Sequence, residues 1–167
     1  TTARRFPSPA KLHGILSYAR NAAKSVGTVI EKKHPNFVEI IPHIERIGEM
    51  YESRKLAADA MDFDDLLMLW RDLLRHDTGV RDRLAQQFQY ILVDEYQDTN
   101  YIQEQLLLKL ARPQQNLCVV GDDDQSLYRF RGATVRNILE FPKHFDHCPR
   151  VRLTVNYRSH ERIIAGY

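Results

Sequence analysis

The sequence has 167 residues, of which 43% are hydrophobic and 28% are charged, and its formal net charge is +2 at neutral pH. This composition predicts one or two folded units with real cores and argues against intrinsic disorder. No apolar run reaches the roughly eighteen residues of a membrane span, and the first residues lack the apolar stretch of a signal peptide. Two cysteines are too few for a disulfide scaffold. We therefore expect a soluble cytoplasmic protein.

The charge is unevenly distributed along the chain. Residues 1–35 contain seven Lys or Arg and one Glu, whereas residues 36–77 contain five Lys or Arg and ten Asp or Glu. A basic block at one end of a protein suits contact with phosphate groups. It is also typical of a solvated surface, so the charge pattern leaves both interpretations open.

Hydrophobic periodicity predicts that the chain is helical before about residue 87. Two apolar stripes recur at steps of three and four residues: Phe37, Ile40, Ile41, Ile44, Ile47 and Tyr51 form the first, and Phe63, Leu66, Leu67, Trp70, Leu73 and Leu74 form the second. We expect both stripes to face a core. Pro35 stands where the first of these helices would begin. Asp62, followed by acids in the next turn, is predicted to cap the second.

After residue 87 the pattern changes to short β-rich runs separated by helical segments. The runs are Tyr90–Val93, Leu117–Val120 and Val151–Val155, and the helical segments lie near 100–111 and 134–141. Asn100 and Gln103 have the spacing of a capping box. The alternation is typical of a parallel sheet with crossover helices. We therefore predict the α/β class, with a helical unit at residues 1–87 and part of a sheet-containing unit at residues 88–167.

Each β-rich run leads into sequence that is rich in functional groups: DEYQD, GDDDQ and NYRS. Ligands of open parallel sheets bind at the carboxyl ends of the strands. Asp94 is therefore a candidate ligand of a hydrated Mg²⁺ ion, and Glu95 is a candidate for orienting or deprotonating an attacking water. Gln125 could contact a terminal phosphate, and Arg158 offers a rigid cationic fork to charge on that phosphate. The same acids could instead be ordinary loop caps.

The sequence QSLYRFRG at residues 125–132 alternates aromatic and basic side chains. Such a segment can stack bases and neutralise the phosphates of single-stranded nucleic acid. An amphipathic turn with Tyr128 and Phe130 buried in a core is the alternative. The seven histidines are scattered and have no metal-binding spacing.

Taken together, VDEYQDTN, VGDDDQSLYRFRGA and NYRS resemble motifs II, III and IV of the UvrD/Rep/PcrA-type superfamily 1 (1A) DNA helicases, in order and in spacing. MDFDDLL at residues 61–67 resembles a segment that these helicases carry before motif II, and residues 1–60 are compatible with their helical subdomain 1B. The resemblance implies a partial RecA-like motor domain of the P-loop NTPase type. It also implies a parent protein that hydrolyses ATP, moves 3′ to 5′ along single-stranded DNA and separates duplexes, typically in repair or replication restart.

The resemblance assigns roles around the nucleotide to five residues. It makes Asp94 the magnesium-associated acid, Glu95 the residue that activates the hydrolytic water, and Gln125 a contact of the γ-phosphate. Tyr157 would stack near the adenine, and Arg158 would reach the γ-phosphate. ATP and Mg²⁺ are the implied cofactors.

Three further residues are implied at the DNA. Tyr128 and Phe130 would touch or stack on bases, and Arg131 would help to couple the DNA site to the nucleotide site. The implied substrates are single-stranded DNA and a forked or 3′-tailed duplex. Tyr96 and Phe130 replace the Phe and Trp that many relatives have, and both keep an aromatic ring.

The sequence contains no G-x-x-x-x-G-K-[ST] loop, which helicases of this type carry upstream. We therefore expect a piece of a longer motor that is inactive alone. Two other classes stay open: a stand-alone nucleic-acid-binding module, which would bind single strands tightly without further sequence, and a metal-dependent nuclease or phosphatase, which usually needs more convergent acids or histidines.

Overall fold

A computed structural model of the chain describes residues 6–125 and 136–164, and it is mostly helical with a small parallel sheet. The α-helices are α1 (Pro9–Asn21), α2 (Val26–Lys33), α3 (Ile41–Ala57), α4 (Phe63–His76), α5 (Thr78–Gln87), α6 (Tyr101–Ala111), α7 (Arg136–Glu140) and α8 (Glu161–Ile164). The strands are β1 (Ile91–Val93) and β2 (Leu117–Val119), and short 3₁₀ helices cover Pro35–Ile40, Tyr96–Asp98, Asp123–Gln125 and Phe141–His144. Within the described ranges, no helix is both long enough and apolar enough to cross a lipid bilayer.

Short polar side chains cap several of the described helices. Ser8 and Ser25 accept hydrogen bonds from backbone N–H groups in the first turns of α1 and α2. Asp62 caps α4 and Asn100 caps α6, each in a reciprocal capping box with the residue three positions later. Both caps confirm the sequence-based predictions. Pro35 also begins a helix as predicted, although that helix is of the 3₁₀ type.

A first hydrophobic core lies between α1, α2 and α3. Its buried side chains are Leu12, Ile15, Ala19, Val29, Ile30 and Ile44. Phe37, Ile40, Ile41 and Ile47 pack against them, so every member of the first predicted stripe except Tyr51 faces this core. Full burial of each large aliphatic side chain contributes about 1.5–3 kcal/mol, so this cluster holds the three helices together.

A second hydrophobic core lies between α4, α5, α6 and β1. Its buried side chains are Leu74, Ile102, Leu106 and Leu110, and Leu67, Met68, Val80, Leu84 and Ile91 pack against them. The helices α4 and α5 thus share a core with the elements that follow them. The proposed unit boundary at residue 87 remains a prediction. Along the chain, the members of the first cluster end in α3 and those of the second begin in α4.

Only two of the six members of the stripe on α4 pack in a core, which corrects the prediction that all of it does. Leu74 is fully buried and Leu67 packs beside it. The other four members are exposed to solvent, most of all Phe63, which is 86% exposed. The reason is geometric: α5 and α6 cover one side of α4, and the apolar face of α4 is wider than that contact.

The two strands pair in parallel with Leu92 opposite Cys118, and α6 forms the crossover between them. The expected third strand at Val151–Val155 is absent: residues 151–156 have no regular secondary structure, and Val151 is 88% exposed. A strand needs a neighbouring backbone to satisfy its N–H and C=O groups. No strand in the described part of the chain runs beside these residues.

An ion-pair network joins α1 and α3 to the start of α4. Asp65, which is 7% exposed, accepts hydrogen bonds from Lys55 Nζ at 2.7 Å, from the backbone N–H of Asp62 at 2.9 Å and from the Arg20 guanidinium. Lys55 Nζ also contacts Asp62 Oδ2 at 2.8 Å, and Arg20 contacts Glu52 Oε1 at 2.9 Å. Arg20, a member of the basic block, is therefore held by acids of the following acidic block.

Candidate active site

The carboxyl ends of β1 and β2 lie side by side and carry the acidic loops. The backbone N–H of Val120 donates to Val93 O at 2.8 Å, and that of Tyr96 donates to Val120 O at 2.9 Å. These two bonds extend the sheet pairing into the loops. The DEYQD loop at residues 94–98 is thereby held against the GDDDQ loop at residues 121–125.

Glu95 lies at a tight reversal of the chain. Its backbone is left-handed, with φ 51° and ψ 41°, which is uncommon for a residue other than glycine and costs about 1–3 kcal/mol. The Asp94 carboxylate accepts a hydrogen bond from the Glu95 N–H at 2.9 Å, and the Asp98 N–H donates to Glu95 O at 2.9 Å. The strained turn places the Glu95 side chain at the end of β1, where the sequence predicted a functional acid.

Gln97 connects the two loops, and sequence reasoning missed it. Its side chain is 1% exposed. Its Nε2 donates to Glu95 Oε2 at 2.6 Å, and its Oε1 accepts from the backbone N–H of Asp122 at 3.0 Å. A buried amide that uses both ends in this way fixes the Glu95 carboxylate relative to the second loop. The only sequence feature that could have pointed to Gln97 was its polar side chain two positions after Glu95.

The chain of hydrogen bonds continues to Gln125. The Asp122 carboxylate accepts from Gln125 Nε2 at 2.6 Å and from the Asp124 N–H at 3.0 Å. Glu95, Gln97, Asp122 and Gln125 are therefore linked in one continuous polar path across the ends of both strands. The structure brings together Asp94, Glu95 and Gln125, three of the residues that the sequence singled out.

Gly121 is required where the two loops approach most closely. A Cβ atom at this position would lie 2.6 Å from Gln97 Oε1 and 2.7 Å from Ile138 Cδ1. Both distances are below any normal contact, so a larger residue would displace the amide of Gln97 or the helix α7.

We expect Gly121→Ala to destabilise the chain by about 1–3 kcal/mol, the usual range for overpacking a tight site. Urea unfolding followed by circular dichroism measures this, and the side-chain amide resonances of Gln97 should shift. Gly14→Ala is the matched control, since a Cβ at Gly14 meets nothing within 4 Å. Equal stability of the two alanine variants would show that the loops have room to separate.

The buried side chain of Tyr96 anchors the DEYQD loop. Its ring is fully buried and packs edge-on against Phe141, with centroids 5.3 Å apart. Its hydroxyl donates to Glu104 Oε1 at 3.3 Å. Burial and the neighbouring carboxylate raise the pKa of Tyr96 above its usual value, and burial likewise raises the pKa of Glu104. The hydroxyl that distinguishes Tyr96 from phenylalanine thus has a buried partner.

Two buried asparagines anchor the far end of the same loop. Asn100 Nδ2 donates to Asn21 Oδ1 at 2.9 Å, which ties the loop to α1. Asn137 Nδ2 donates to Thr99 O at 3.1 Å, which ties it to α7. The position of the loop therefore depends on helices from both ends of the chain.

The remaining predicted site residues are not joined to this path. Tyr157 is 93% exposed, and the backbone N–H of Arg158 donates to Asn156 Oδ1 at 2.9 Å. Within residues 6–125 and 136–164, no hydrogen bond or ion pair connects the Arg158 side chain to Asp94, Glu95 or Gln125. The predicted DNA contacts Tyr128, Phe130 and Arg131 lie outside the described residues.

A family model for the UvrD/REP helicase N-terminal domain matches residues 15–146 of the chain. The chain belongs to the UvrD/REP helicase family. This match covers both acidic loops and all buried core residues except Leu12, so the membership does not rest on the short motifs alone.

Curated relatives agree with the UvrD/REP assignment. The ATP-dependent DNA helicase PcrA of Bacillus subtilis (strain 168) is 47% identical over 114 residues, which cover 68% of this chain and 15% of that protein. PcrA of Leuconostoc citreum is 38% identical over 156 residues, which cover 93% of this chain and 20% of that protein. PcrA of Staphylococcus aureus (strain Mu50 / ATCC 700699) is 43% identical over 125 residues. The chain thus spans a fifth or less of the length of these three relatives.

Proposed function

We propose that this chain is part of an ATP-dependent DNA helicase, which couples ATP hydrolysis to 3′-to-5′ movement along single-stranded DNA and to duplex separation. The observation that carries the proposal is the polar path from Glu95 through Gln97 and Asp122 to Gln125 at the ends of two parallel strands. Membership of the UvrD/REP family and similarity to PcrA proteins, which are named ATP-dependent DNA helicases, support it.

Glu95 would act as the general base of hydrolysis in this proposal. Gln97 holds one oxygen of its carboxylate, so the other can accept a proton from a water molecule. Gln125 lies at the other end of the polar path, where its amide would respond to a terminal phosphate. Arg158 would supply positive charge to the same phosphate, and Tyr157 would offer its exposed ring to the base of the nucleotide.

Asp94 would hold the magnesium ion through water. Its Oδ1 is used by the Glu95 N–H, and its Oδ2 has no hydrogen-bond partner among the described residues. Oxygen ligands suit Mg²⁺, which is usually held by one or two carboxylates together with substrate phosphates. When bound, the ion would neutralise charge on those phosphates. The residues present thus fit such an ion.

The DNA-contacting part of the proposal concerns the segment that contains Tyr128, Phe130 and Arg131. Aromatic and arginine side chains in alternation suit stacking on bases and contact with phosphates. We propose single-stranded DNA and a forked or 3′-tailed duplex as substrates, and the cytoplasm as the location.

A chimera tests the proposal directly. The segment of Bacillus subtilis PcrA that aligns with this chain is replaced by the corresponding residues of the chain, and ATP hydrolysis is measured with and without single-stranded DNA. We expect DNA-stimulated hydrolysis, and we expect unwinding of a 3′-tailed but not a 5′-tailed duplex. An inactive chimera that is folded by circular dichroism would contradict the proposal.

The isolated 167-residue chain should have no ATPase activity, because its sequence contains no phosphate-binding glycine loop. The measurement is phosphate release in the presence of single-stranded DNA, with Glu95→Gln as the control for contaminating enzymes. Release that disappears in the Glu95→Gln chain would show that the chain hydrolyses ATP by itself. Tight binding of single strands without any role of the chain in hydrolysis would instead favour the binding-module alternative.

A further inference from the structure

A buried carboxyl group lies beside the DEYQD loop, outside the polar path that crosses the strand ends. Glu104 on α6 is 6% exposed, and its Oε1 accepts a hydrogen bond from the Tyr96 hydroxyl at 3.3 Å. The same oxygen lies 3.8 Å from His144 Nε2, within ion-pairing distance of the imidazole. Glutamate is almost never fully buried unless it is paired. One oxygen atom therefore joins α6, the DEYQD loop and the 3₁₀ helix Phe141–His144.

The groups around Glu104 act on its charge in opposite directions. Burial has the largest effect and raises the pKa of Glu104. A protonated His144 and the hydrogen bond from Tyr96 lower this pKa, and the Glu140 carboxylate raises it. Glu140 in turn accepts a hydrogen bond from Lys143 Nζ at 3.3 Å. Within residues 6–125 and 136–164, His144, Tyr96 and Glu140 are the titratable groups that act on Glu104, and His144 is the one that brings positive charge to it.

His144 connects this buried carboxyl group to solvent. The imidazole side chain is 36% exposed, whereas the side chain of Glu104 is 8% exposed. Histidine changes its charge within the physiological pH range more readily than other side chains, and two groups in contact exchange protons as a coupled pair. While the pair holds a proton, Glu104 is either neutral or next to a cation. Once that proton has left, a bare carboxylate remains in a buried position near Glu140, which is costly.

Tyr96 connects Glu104 to the turn at Glu95. Its ring is fully buried and packs edge-on against Phe141 of the 3₁₀ helix. Its backbone N–H donates to Val120 O. Tyr96 directly follows Glu95, whose left-handed backbone leaves little freedom for adjustment. A shift of the Tyr96 side chain would therefore move the carboxylate of Glu95.

We propose that Glu104 is a positioning residue for Glu95, and that the proton it shares with His144 controls how firmly Tyr96 is held. With the proton present, Glu104 and His144 keep the 3₁₀ helix Phe141–His144 closed over the Tyr96 ring. When the proton leaves at higher pH, the buried negative charge draws in water and loosens this contact. The turn at Glu95 then loses its fixed geometry. This inference rests on the proposed role of Glu95 in ATP hydrolysis.

Carbon NMR of the Glu104 carboxyl group in the 167-residue chain tests the pair itself. We expect Glu104 to titrate above the usual range of glutamate. His144→Gln and Tyr96→Phe should raise the titration midpoint further, because each removes a group that favours the carboxylate. Glu140→Gln should lower it, because it removes a like charge. His147→Gln, which removes an exposed imidazole three residues further along, is the matched control and should leave the midpoint unchanged. A midpoint that ignores His144→Gln would overturn the shared proton.

The pH dependence of stability tests whether the charge of Glu104 loosens the fold. A carboxyl group whose pKa is raised by folding contributes stability that is fully present below its unfolded pKa of about 4.3. That contribution is lost as the pH rises through the folded value. Glu104→Gln keeps an oxygen for the Tyr96 hydroxyl but carries no charge, so its unfolding free energy should gain on that of the unmodified chain from about pH 4 to about pH 8. Urea unfolding measures the difference, and a constant difference would contradict the proposal.

The PcrA chimera tests the positioning role with kcat and KM measured separately. We expect its kcat to fall several-fold from about pH 7 to about pH 9 while KM for ATP stays constant, because Glu104 holds the turn and not the nucleotide. In Glu104→Gln this fall should disappear, and in His147→Gln it should remain. Equal kcat profiles of the active chimera and its Glu104→Gln variant would overturn the positioning role. The NMR and unfolding tests need no ATP hydrolysis, so failure of this inference is distinguishable from an inactive chimera.

Discussion

Glu95→Gln should lower ATP turnover by the PcrA chimera by about 10²–10⁴, the usual contribution of a general base, while nucleotide binding is retained. The amide has the shape of the carboxylate but cannot accept the proton of the attacking water. Its oxygen can still accept the hydrogen bond from Gln97 Nε2, so the loop should keep its position. The variant therefore separates chemistry from folding and from binding.

Steady-state hydrolysis and equilibrium nucleotide binding check this expectation together. Glu49→Gln, an exposed acid on α3, is the matched control and should leave turnover unchanged. Turnover close to normal in Glu95→Gln would mean that another group accepts the proton. A parallel loss of binding would mean that the carboxylate itself holds the nucleotide site together.

Local features of the fold could be predicted from the sequence because their causes lie within a few residues. Asp62 and Asn100 begin helices by accepting hydrogen bonds from residues three positions later, so the local sequence is enough to predict both caps. The strand predicted at Val151–Val155 fails for the opposite reason. Alternating apolar residues favour an extended chain, but a strand also needs a partner backbone, and the described residues supply none there.

In the candidate site, too, the residues with local signals could be predicted and those that depend on long-range contacts could not. The rule that functional residues follow parallel strands was enough to select Asp94, Glu95 and Gln125, and the structure places the loops that carry them side by side. Gln97 was missed because its role depends on contacts with both loops at once. Nothing in the sequence shows that its amide is buried, or that Gly121 leaves space for it.

The net charges of the two N-terminal blocks, residues 1–35 and 36–77, were a poor guide to which charged side chains interact. Arg20 was counted with the basic N-terminal block, yet it lies in a network with Asp65 and Glu52 from the acidic block. The opposite charges of the two blocks therefore pair in part within the fold. Block sums cannot separate these cases, because they contain no information on which side chains meet.

Asp65→Ala should be among the most destabilising single changes in the described part of the chain. It removes the carboxylate that Lys55 and Arg20 share, leaves them with Asp62 and Glu52, and deletes one half of the α4 capping box. Breaking a buried ion pair by deleting one member costs about 3–5 kcal/mol, because the remaining charges stay desolvated. Urea unfolding at pH 7 measures the loss. Asp82→Ala, which removes only an exposed contact with its neighbour Arg81, should cost under about 1 kcal/mol.

Acid titration separates the charge of Asp65 from its packing. Burial alone would raise the pKa of Asp65, but the hydrogen bonds from Lys55, the Asp62 N–H and Arg20 outweigh it and hold the pKa well below the usual range. A carboxyl whose pKa is lower in the folded state stabilises the fold above its unfolded pKa of about 3.9, and this contribution disappears as the pH falls through the folded value. The difference in unfolding free energy between the unmodified chain and Asp65→Ala should therefore be largest near neutral pH and should shrink below about pH 4. A difference that stays constant down to pH 2 would show that Asp65 acts through packing and capping, and that the ionic contacts add little.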